Sequence, residues 1–510
     1  MSEEIEKIWI PTPAPVNRAF WQDPFQVRQL KSWIADLPRG DLLVTARRLE
    51  EKNNALNLIR TSTAKRQRAS AQLFQIHLQL FGQYCKHLQE QSQAEEIQHL
   101  QLLLEHHLVA LIQSQKIIIN QTAKRKTRNC HLALANSFHY LRQIQLLYYL
   151  QKLRLTPRYW GEIHQLYHLA CALGFSNPES GAKTDLLRQQ YLSLLLFGTC
   201  NPFQFDQQQL TAIHHHLEQW TQLCTLKKQW SDHSLFLVPL RQAQQPSYVQ
   251  AQQLIDGPEG DYLYLDTLEL AKQLLRDHLD SPIPTSAARA QPLEDAYTRL
   301  AQAWSQPPER KFPRFNTDQK LTLVCGLVGL SQYLFLKTSK ARAEAELTKI
   351  QDSVLESIAL TNSSALGFCI RVAGDIKWSQ EVGDVVGLRV REEADSQWQV
   401  AIIRWQEWDS KGDKILVGLE ILASQISPIL AKKHENTDGY NIYGLLIKDQ
   451  ESEGRESLIM LPSYTFKTYD LLSIRHHQQQ QTIELLNSLN TNSHYSIYEF
   501  RRLSKSASEP

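Results

Sequence analysis

Two arginines in the stretch RKFPR, Arg310 and Arg314, could together bind a ligand with two negative charges. Pro313 lies between them, and proline favours an extended or loop conformation over a helix. Each guanidinium can form a forked, charge-assisted pair with a phosphate or with the O6/N7 edge of a guanine. A forked contact to guanine contributes about 1–3 kcal/mol of discrimination between bases. The pair therefore predicts a flexible arm that binds a dianionic ligand.

A second polar stretch, NSSALG, could supply complementary contacts. Asn362 and Ser364 present short hydrogen-bonding side chains from a turn at the end of a predicted strand, and Gly367 lets the backbone approach a ligand closely. The alternative is a structural turn beside a solvent-exposed arginine loop, because Asn, Ser and Gly are the residues that turns prefer. Each motif is weak alone. Their order, at the mouth of a predicted β-barrel, favours a single binding site.

Histidines and basic runs elsewhere are weaker candidates. His164 and His168 lie one helical turn apart, a spacing that can bind a metal, but the glutamate of H-E-x-x-H and a third ligand are missing. Residues 214–216, three histidines in a row, cannot aim three imidazoles at one ion from a helix. The runs KRQR (65–68) and AKRKTR (123–128) carry no interleaved aromatic residues and are interpreted as solvated helix faces. No metal site is predicted.

The elements that must position these residues follow from the hydropathy pattern. Residues 25–280 are rich in Leu, Gln, Ala and His, and their apolar residues recur at helical spacing. This pattern predicts a large all-helical domain without a clean repeat period. Residues 281–305 are expected to form a linker and a connecting helix. Residues 1–24 are interpreted as an N-terminal tail, and residues 504–510 as a disordered tail.

Short runs of alternating apolar and polar residues follow the arginine arm. Residues 306–431 predict a small antiparallel β-barrel with a helical insertion at about 334–360, whose apolar residues from Leu336 to Val354 follow a heptad-like seam. The insertion is expected to dock on the helical domain or, alternatively, to pair two subunits. Residues 432–503 predict a second small barrel or a β extension. The predicted fold class is therefore multidomain α+β.

Composition limits the class of function. The 510 residues carry a formal net charge of +2, which is too balanced for a dedicated nucleic-acid binder. Seven scattered cysteines without a C-x-x-C pair fit reduced thiols in the cytosol. No secretory signal and no apolar run long enough for a membrane span is visible. A cytoplasmic protein that does not insert into membranes is predicted.

The motifs together resemble the PilZ domain, the bacterial receptor module for cyclic di-GMP. ERKFPRF (309–315) is similar to the arginine-arm motif of that family and NSSALG to its [DN]-x-S-x-x-G motif, while VGDVVGLRV, QVAIIRWQEW and LVGLEIL resemble its later strands. The resemblance covers residues 306–431, about a quarter of the chain. Arg314 and Asn362 lie 48 positions apart (314 to 362), which is more than the usual spacing. The front half is similar to helical regions that precede PilZ domains in gammaproteobacterial proteins.

The resemblance implies cyclic di-GMP as the ligand, with no further cofactor, and a role for each motif residue. Arg310 and Arg314 would clamp a guanine and a phosphate of the dinucleotide. Asn362, Ser364 and Gly367 would hold the other guanine and its phosphate from the barrel face. In that family the ligand often binds as a stacked pair, and the arm folds over it.

Two functions from different classes remain open. One is a cyclic di-GMP receptor whose barrel shifts against the helical domain when ligand binds and so changes contacts with an unidentified protein partner, in motility, pilus or biofilm control. The heptad-like seam also allows a homo-oligomer through the helix at 334–360. The other is a ligand-independent adaptor whose barrel binds only protein. An enzyme is not expected, because no Ser/His/Asp set, Walker loop or GGDEF-like run is present.

Overall fold

The chain divides into two compact units. The computed structural model describes residues 12, 25–89, 94–179, 185–250, 261–280, 294–309, 312–338, 353–374, 376, 378–391, 397–409, 413–434, 440–448, 456–476, 479–492 and 494–503. The first unit, called here the helical unit, comprises Met1–Pro202, Gln207–Ser281 and Pro292–Pro308. The second, called here the barrel unit, comprises Phe203–Asp206, Pro282–Gln291 and Glu309–Pro510.

Ten α-helices are described in the helical unit. They are α1 (Val27–Ala35), α2 (Leu42–Leu58), α3 (Thr63–Gln89), α4 (Ala94–Thr122), α5 (Arg128–Leu150), α6 (Pro157–Ala172), α7 (Leu186–Thr199), α8 (Gln207–Trp220), α9 (Leu268–Asp280) and α10 (Glu294–Ala303). None of the helices among the described residues has the length and mean hydropathy that crossing a bilayer requires.

Capping residues fix where several of these helices begin. Asp41 accepts a hydrogen bond from the Val44 amide at 2.9 Å at the start of α2, and Asp185 accepts one from the Arg188 amide at 2.9 Å at the start of α7. Pro157 occupies the first turn of α6, where its missing amide proton costs nothing. Local signals in the sequence thus mark the first residues of these helices.

A small antiparallel sheet interrupts the helical unit. Its strands are β1 (Thr225–Lys227), β2 (Phe236–Pro239), β3 (Ser247–Tyr248) and β4 (Tyr262–Asp266), in the order β1-β4-β2-β3. The prediction of a large helical domain followed by barrels is confirmed, but the expectation that 25–280 is helical throughout is wrong here. The apolar runs FLVP and YLYLD are too short for a helix and lie among turn-forming residues, so strand pairing prevails.

The first barrel of the barrel unit is antiparallel throughout. Its strands are β5 (Phe315–Asn316), β6 (Lys320–Cys325), β7 (Val354–Ser364), β8 (Gly367–Ala373), β9 (Val385–Val390), β10 (Gln399–Trp408) and β11 (Lys414–Ala423). The sheet order is β5-β7-β6-β9-β10-β11-β8, and β7 also pairs with β8, which closes the ring. Ile358, Leu360, Ile370, Val386 and Ile403 are among the residues of its own buried core.

The helical insertion does not extend to residue 360 as predicted. Helix α11 (Leu327–Thr338) follows β6, residues 339–352 lie outside the described residues, and β7 begins at Val354. The predicted helix at 334–360 is therefore wrong in its last part, because residues 354–360 form a strand. Ile358 and Leu360 alternate into the barrel core, and pairing with β6 and β8 outweighs the local helical pattern.

The tail forms a second barrel rather than a β extension. A closed barrel has the order β12-β13-β14-β17-β16-β15. Its strands are β12 (Ile426–Lys433), β13 (Ile442–Lys448), β14 (Glu456–Pro462), β15 (Leu471–His476), β16 (Gln479–Thr491) and β17 (Tyr495–Leu503). Because β12 begins at Ile426, the predicted boundary between residues 431 and 432 falls inside a strand.

The two barrels share a hydrophobic core through α11. Leu327, Leu330 and Leu334 of this helix are buried together with Val400 of the first barrel and Met460 of the second. The hydroxyl of Ser331 in α11 donates to the Gly444 carbonyl of β13 at 2.7 Å. Helix α11, with which the predicted insertion begins, thus packs between the barrels, and most of the heptad-like seam lies outside the described residues.

Polar contacts add to this interface. Asn492 Nδ2 donates to the Gly383 carbonyl at 3.2 Å, and His494 Nδ1 lies 2.7 Å from Asp384 Oδ1. The hydrogen bond to Asp384 raises the pKa of His494, against the effect of burial. The loop before β17 is thereby held against the loop before β9.

Five histidines of the helical unit lie in poorly solvated positions. Burial lowers the pKa of His77 to about 3 and the pKa of His139 and His164 to about 4, and it lowers the pKa of His107 and His214 well below the ordinary value. His77 and His107 face each other with their Nδ1 atoms 3.2 Å apart, so protonating both would place two charges in contact inside the unit.

We expect the helical unit to lose stability in mild acid. A histidine whose folded-state pKa is lowered contributes stability that is present above about pH 6.5 and is lost as the pH falls toward the folded-state value. Each such histidine costs about 1.4 kcal/mol per pH unit in that window. Urea unfolding followed by far-UV circular dichroism at pH 7 and pH 5 measures this loss. The slope of the unfolding free energy against pH measures how many protons are taken up on unfolding. His164→Gln should lower this number by about one, whereas His216→Gln, at an exposed position, should leave it unchanged. Equal stability at the two pH values would contradict the prediction.

Candidate functional site

The arginine arm leads directly into the strand beside the polar turn. Arg310 lies outside the described residues, and residues 312–314 form a loop that enters β5. In β5, Phe315 pairs with Ser363 and Asn316 pairs with Asn362 of β7. The 48-position spacing therefore does not separate the two motifs, because β6 and α11 lie outside the β5–β7 pairing.

The polar turn is a two-residue hairpin between β7 and β8. Ser364 is paired with Gly367, and its hydroxyl donates to the Gly367 carbonyl at 3.2 Å. Leu366, at the tip, accepts a hydrogen bond at its carbonyl from the Ile421 amide at 3.0 Å and leaves its side chain 47% exposed. The hairpin is thus tied to β11 while its side chains remain accessible.

Four of the five predicted site residues lie on one cavity of about 220 Å³: Arg314, Asn362, Ser364 and Gly367. The other lining residues are Leu366, Phe368, Cys369, Arg404, Trp405, Gly418 and Leu419. Arg314 is exposed, whereas Asn362 and Ser364 are half-buried. The cavity therefore has a cationic rim, a hydrogen-bonding edge and an apolar wall.

Gly367 serves the barrel as well as the cavity. A Cβ at this position would lie 2.5 Å from the carbonyl oxygen of Leu419 in β11. Any side chain there would push β8 away from β11, with which it pairs at Gly367 and Glu420. The direct reason for glycine at this point is the approach of two strands, and the access that it gives to the cavity follows from that approach.

Sequence reasoning missed Arg404 and Trp405. A β-bulge in β10 lies between Ile403 and Trp405, so the regular opposition to β11 is interrupted at Arg404. Neighbouring residues of a regular strand point to opposite faces, but a bulge can turn both to one side. Both side chains line the cavity. The signal available in the sequence was the polar Arg-Trp pair that follows the apolar run VAII.

The indole of Trp405 is accommodated by the glycine opposite it. Trp405 pairs with Gly418 of β11, and a Cβ on Gly418 would lie 1.9 Å from Trp405 Nε1. The ring therefore lies across the backbone of β11 and forms part of the cavity wall. A flat aromatic surface of this kind can stack on a nucleobase.

An ion pair occupies one side of the cavity. Arg404 Nε donates to Glu420 Oε2 at 2.5 Å, with the two side chains 43% and 46% exposed.

Burial raises the pKa of the Cys369 thiol, and the positive charges of Arg314 and Arg371 oppose that rise. Burial also raises the pKa of Tyr495 in the second barrel to about 12, with Arg404 lowering it and Glu420 raising it further.

Comparison with known families agrees with this architecture. Residues 28–231 match the family model described as "Cyclic-di-GMP receptor FimW, N-terminal domain", and residues 334–428 match the model described as "Cyclic-di-GMP receptor FimW, middle PilZ domain". A relative from Pseudomonas aeruginosa, "Cyclic-di-GMP receptor FimW", is 23% identical over 581 aligned residues. The alignment covers 96% of this chain and 93% of that protein.

Replacing Gly367 by alanine should destabilise the barrel unit. The new methyl group would meet the Leu419 carbonyl, and overpacking of this kind costs roughly 1–3 kcal/mol. Gly329→Ala in α11 is the matched control, because its nearest neighbour would be Ser353 Cβ at an ordinary 3.5 Å. Thermal unfolding of both variants and the parent measures the difference. Equal melting temperatures for Gly367→Ala and the parent would show that β8 and β11 can separate freely.

Proposed function

The chain is a PilZ-domain protein with a long helical N-terminal region, and we propose that it is a receptor that binds cyclic di-GMP in the cavity of its first barrel. The observation that carries the proposal is the convergence of Arg314, Asn362 and Ser364 on one cavity. These residues come from two separate parts of the chain: Arg314 from the arm, and Asn362 and Ser364 from the end of β7. The chemical groups of cyclic di-GMP also correspond to the side chains that line the cavity.

Each part of cyclic di-GMP has a counterpart at this site. Its phosphates carry two negative charges, which Arg314 and, from the arm, Arg310 would clamp in forked pairs. Asn362 and Ser364 would hydrogen-bond a guanine and its phosphate from the barrel face. Trp405 offers a ring on which a guanine can stack, a contact of about 1–3 kcal/mol. Gly367 keeps the strands close enough for these groups to converge.

Arg404 is a further candidate for contact with the ligand, and its guanidinium forms an ion pair with Glu420. The two side chains are paired, and each is about half exposed. A phosphate or a guanine O6/N7 edge would compete with the Glu420 carboxylate for the Arg404 guanidinium. Ligand binding is thereby linked to the loss or rearrangement of an ion pair.

The output is proposed to be a change in contacts with a protein partner, in motility, pilus or biofilm control. Ligand binding would alter the Arg404–Glu420 pair, and this change would have to reach the surface that contacts the partner. Such a link is allosteric only if the ligand binds two arrangements of the protein with different affinity. We place the receptor in the cytoplasm, in line with its seven free cysteines, and we assign it no catalytic step of its own.

A ligand-independent adaptor is the alternative. Its support is a set of exposed apolar side chains: Leu366, which lines the cavity, is 47% exposed, and Phe312 and Phe315, on either side of Arg314 in the chain, are 40% and 65% exposed. Exposed apolar side chains of this kind can be covered by a protein partner as well as by an arm that closes on a ligand. Direct binding measurements distinguish the two functions.

Isothermal titration of the full chain with cyclic di-GMP tests the proposal, with GTP and the linear dinucleotide as controls. Arg314→Ala should lower affinity by about 1.5–3 kcal/mol, roughly ten- to a hundredfold, because a charge-assisted contact is lost. Ser364→Ala should cost less, about 0.5–1.5 kcal/mol. Arg391→Ala is the matched control, since Arg391 is paired with Glu356 outside the cavity lining. No binding by the parent, or equal binding by Arg314→Ala, would favour the adaptor.

Removing the charge of Glu420 should strengthen ligand binding. Glu420→Gln keeps the shape of the side chain but releases Arg404 and removes a carboxylate from the edge of an anion site. Because the pair is about half exposed, we expect a modest gain of about two- to fivefold. The same titration, repeated at high salt, measures it. Weaker binding by this variant would show that Glu420 orients Arg404 for the ligand instead of competing with it.

A further inference from the structure

Two basic runs that are far apart in sequence lie together in the helical unit. Asn129 Nδ2, in the first turn of α5, donates to Thr63 Oγ1, in the first turn of α3, at 3.4 Å. KRQR (65–68) follows Thr63, and the turn KRKTR (124–128) surrounds the start of α5. The structure thus joins two stretches that were interpreted separately as solvated helix faces.

The combined surface, called here the basic face, carries seven cations. They are Arg60, Lys65, Arg68, Lys124, Arg125, Lys126 and Arg128. Six are exposed and Lys65 is half-buried. Arg66, in the same run, is buried and donates to the carbonyls of Leu56 and Ile59, so it supports the fold and is not counted. The basic face thus combines cations from two segments that are far apart in the sequence.

Carboxylates are missing from the segments that build the basic face. The sequence has no Asp or Glu from residue 52 to 89 or from residue 106 to 161. Among the described residues, no carboxylate pairs with the six exposed cations. With an overall charge of only +2, this concentration of positive charge is local and must be offset elsewhere on the chain. A local field of this kind attracts polyanions.

Exposed leucines flank the cations. Leu58, at the end of α2, is 40% exposed and lies two residues before Arg60. Leu132 is 41% exposed and lies one helical turn after Arg128 on α5, on the same side of that helix. Cations mixed with exposed aliphatic side chains suit the headgroup region of an anionic bilayer, where charge and apolar contact both contribute. Single-stranded nucleic acids stack their bases on aromatic side chains. The two segments that carry the cations, residues 60–68 and 123–129, contain no Phe, Tyr or Trp.

The backbone also presents these cations in a fixed arrangement. Lys126 has a left-handed conformation with φ of 47°, which is uncommon for a residue other than glycine, and its amide donates to the Ala123 carbonyl at 3.0 Å. Thr127 then caps α5 by accepting from the Cys130 amide at 3.3 Å. The tight turn holds the side chains of Lys124 to Arg128 at the surface.

From these observations we infer that the basic face binds the anionic phospholipid headgroups of a membrane surface, without inserting into it. The helical unit thereby places the receptor at the membrane, independently of ligand binding on the first barrel. Clusters of four to eight Lys or Arg have this effect in other proteins, and the attraction weakens steeply with salt.

Sedimentation of the full chain with vesicles tests the inference. We expect binding to vesicles of phosphatidylcholine mixed with phosphatidylglycerol at low salt, little binding to phosphatidylcholine alone, and release at high salt. Lys124→Gln combined with Arg125→Gln should weaken the partition roughly thirtyfold, which corresponds to about 1 kcal/mol for each cation removed. Far-UV circular dichroism should show unchanged helix content, since both side chains are exposed.

A second double variant, Arg39→Gln with Lys86→Gln, is the matched control. It also removes one exposed Lys and one exposed Arg, but Lys86 lies 21 residues after Lys65 on α3, roughly 30 Å away. Arg39 lines a cavity with Gln83 and His87 at that same end of α3. This variant should bind anionic vesicles like the parent. Equal loss in both variants, binding to neutral vesicles alone, or tighter binding to duplex DNA than to anionic vesicles at equal charge would overturn the assignment to lipid.

Discussion

Strand β7 has to pair with three neighbours at once, and the position of the cavity depends on this arrangement. One edge of β7 carries β6 at its beginning and β5 at its end, while the other edge carries β8. The pairing with β8 closes the barrel, and the pairing with β5 holds the arginine arm against it. Because both pairings use residues 359–364, the arm and the polar turn are brought together by the same strand that completes the fold. An insertion between β6 and β7 can therefore vary without moving the site.

The cavity itself is built from positions where side chains are missing or displaced. Gly367 allows β8 to approach β11, Gly418 makes room for the indole of Trp405, and the bulge at Arg404 breaks the alternation of β10. A fully regular barrel would present a flat, alternating surface here. The departures from regularity expose an aromatic ring and a guanidinium next to each other, which is what an anionic ligand with aromatic bases requires.

The sequence was informative where the signal is local. Helix periodicity, the caps at Asp41 and Asp185, and the two short motifs all depend on residues close together in the chain, and the structure places Arg314, Asn362, Ser364 and Gly367 on one cavity. The predictions were wrong or incomplete where contacts between residues far apart in the sequence determine the local structure. Residues 354–360 look helical until β6 and β8 are beside them, and no periodicity marks a bulge at Arg404 or brings residues 65–68 next to residues 124–128.

The core that α11 shares between the two barrels limits how this architecture can change in evolution. Leu330 and Val400 lie in the same buried cluster as Met460, so each barrel completes the interior of the other. A gene rearrangement that carried one barrel away would expose this cluster and leave both products prone to aggregation. The pair must therefore be inherited, duplicated or lost as one module. The tolerated points of recombination in this lineage should lie before the arginine arm or after β17, and never between the barrels.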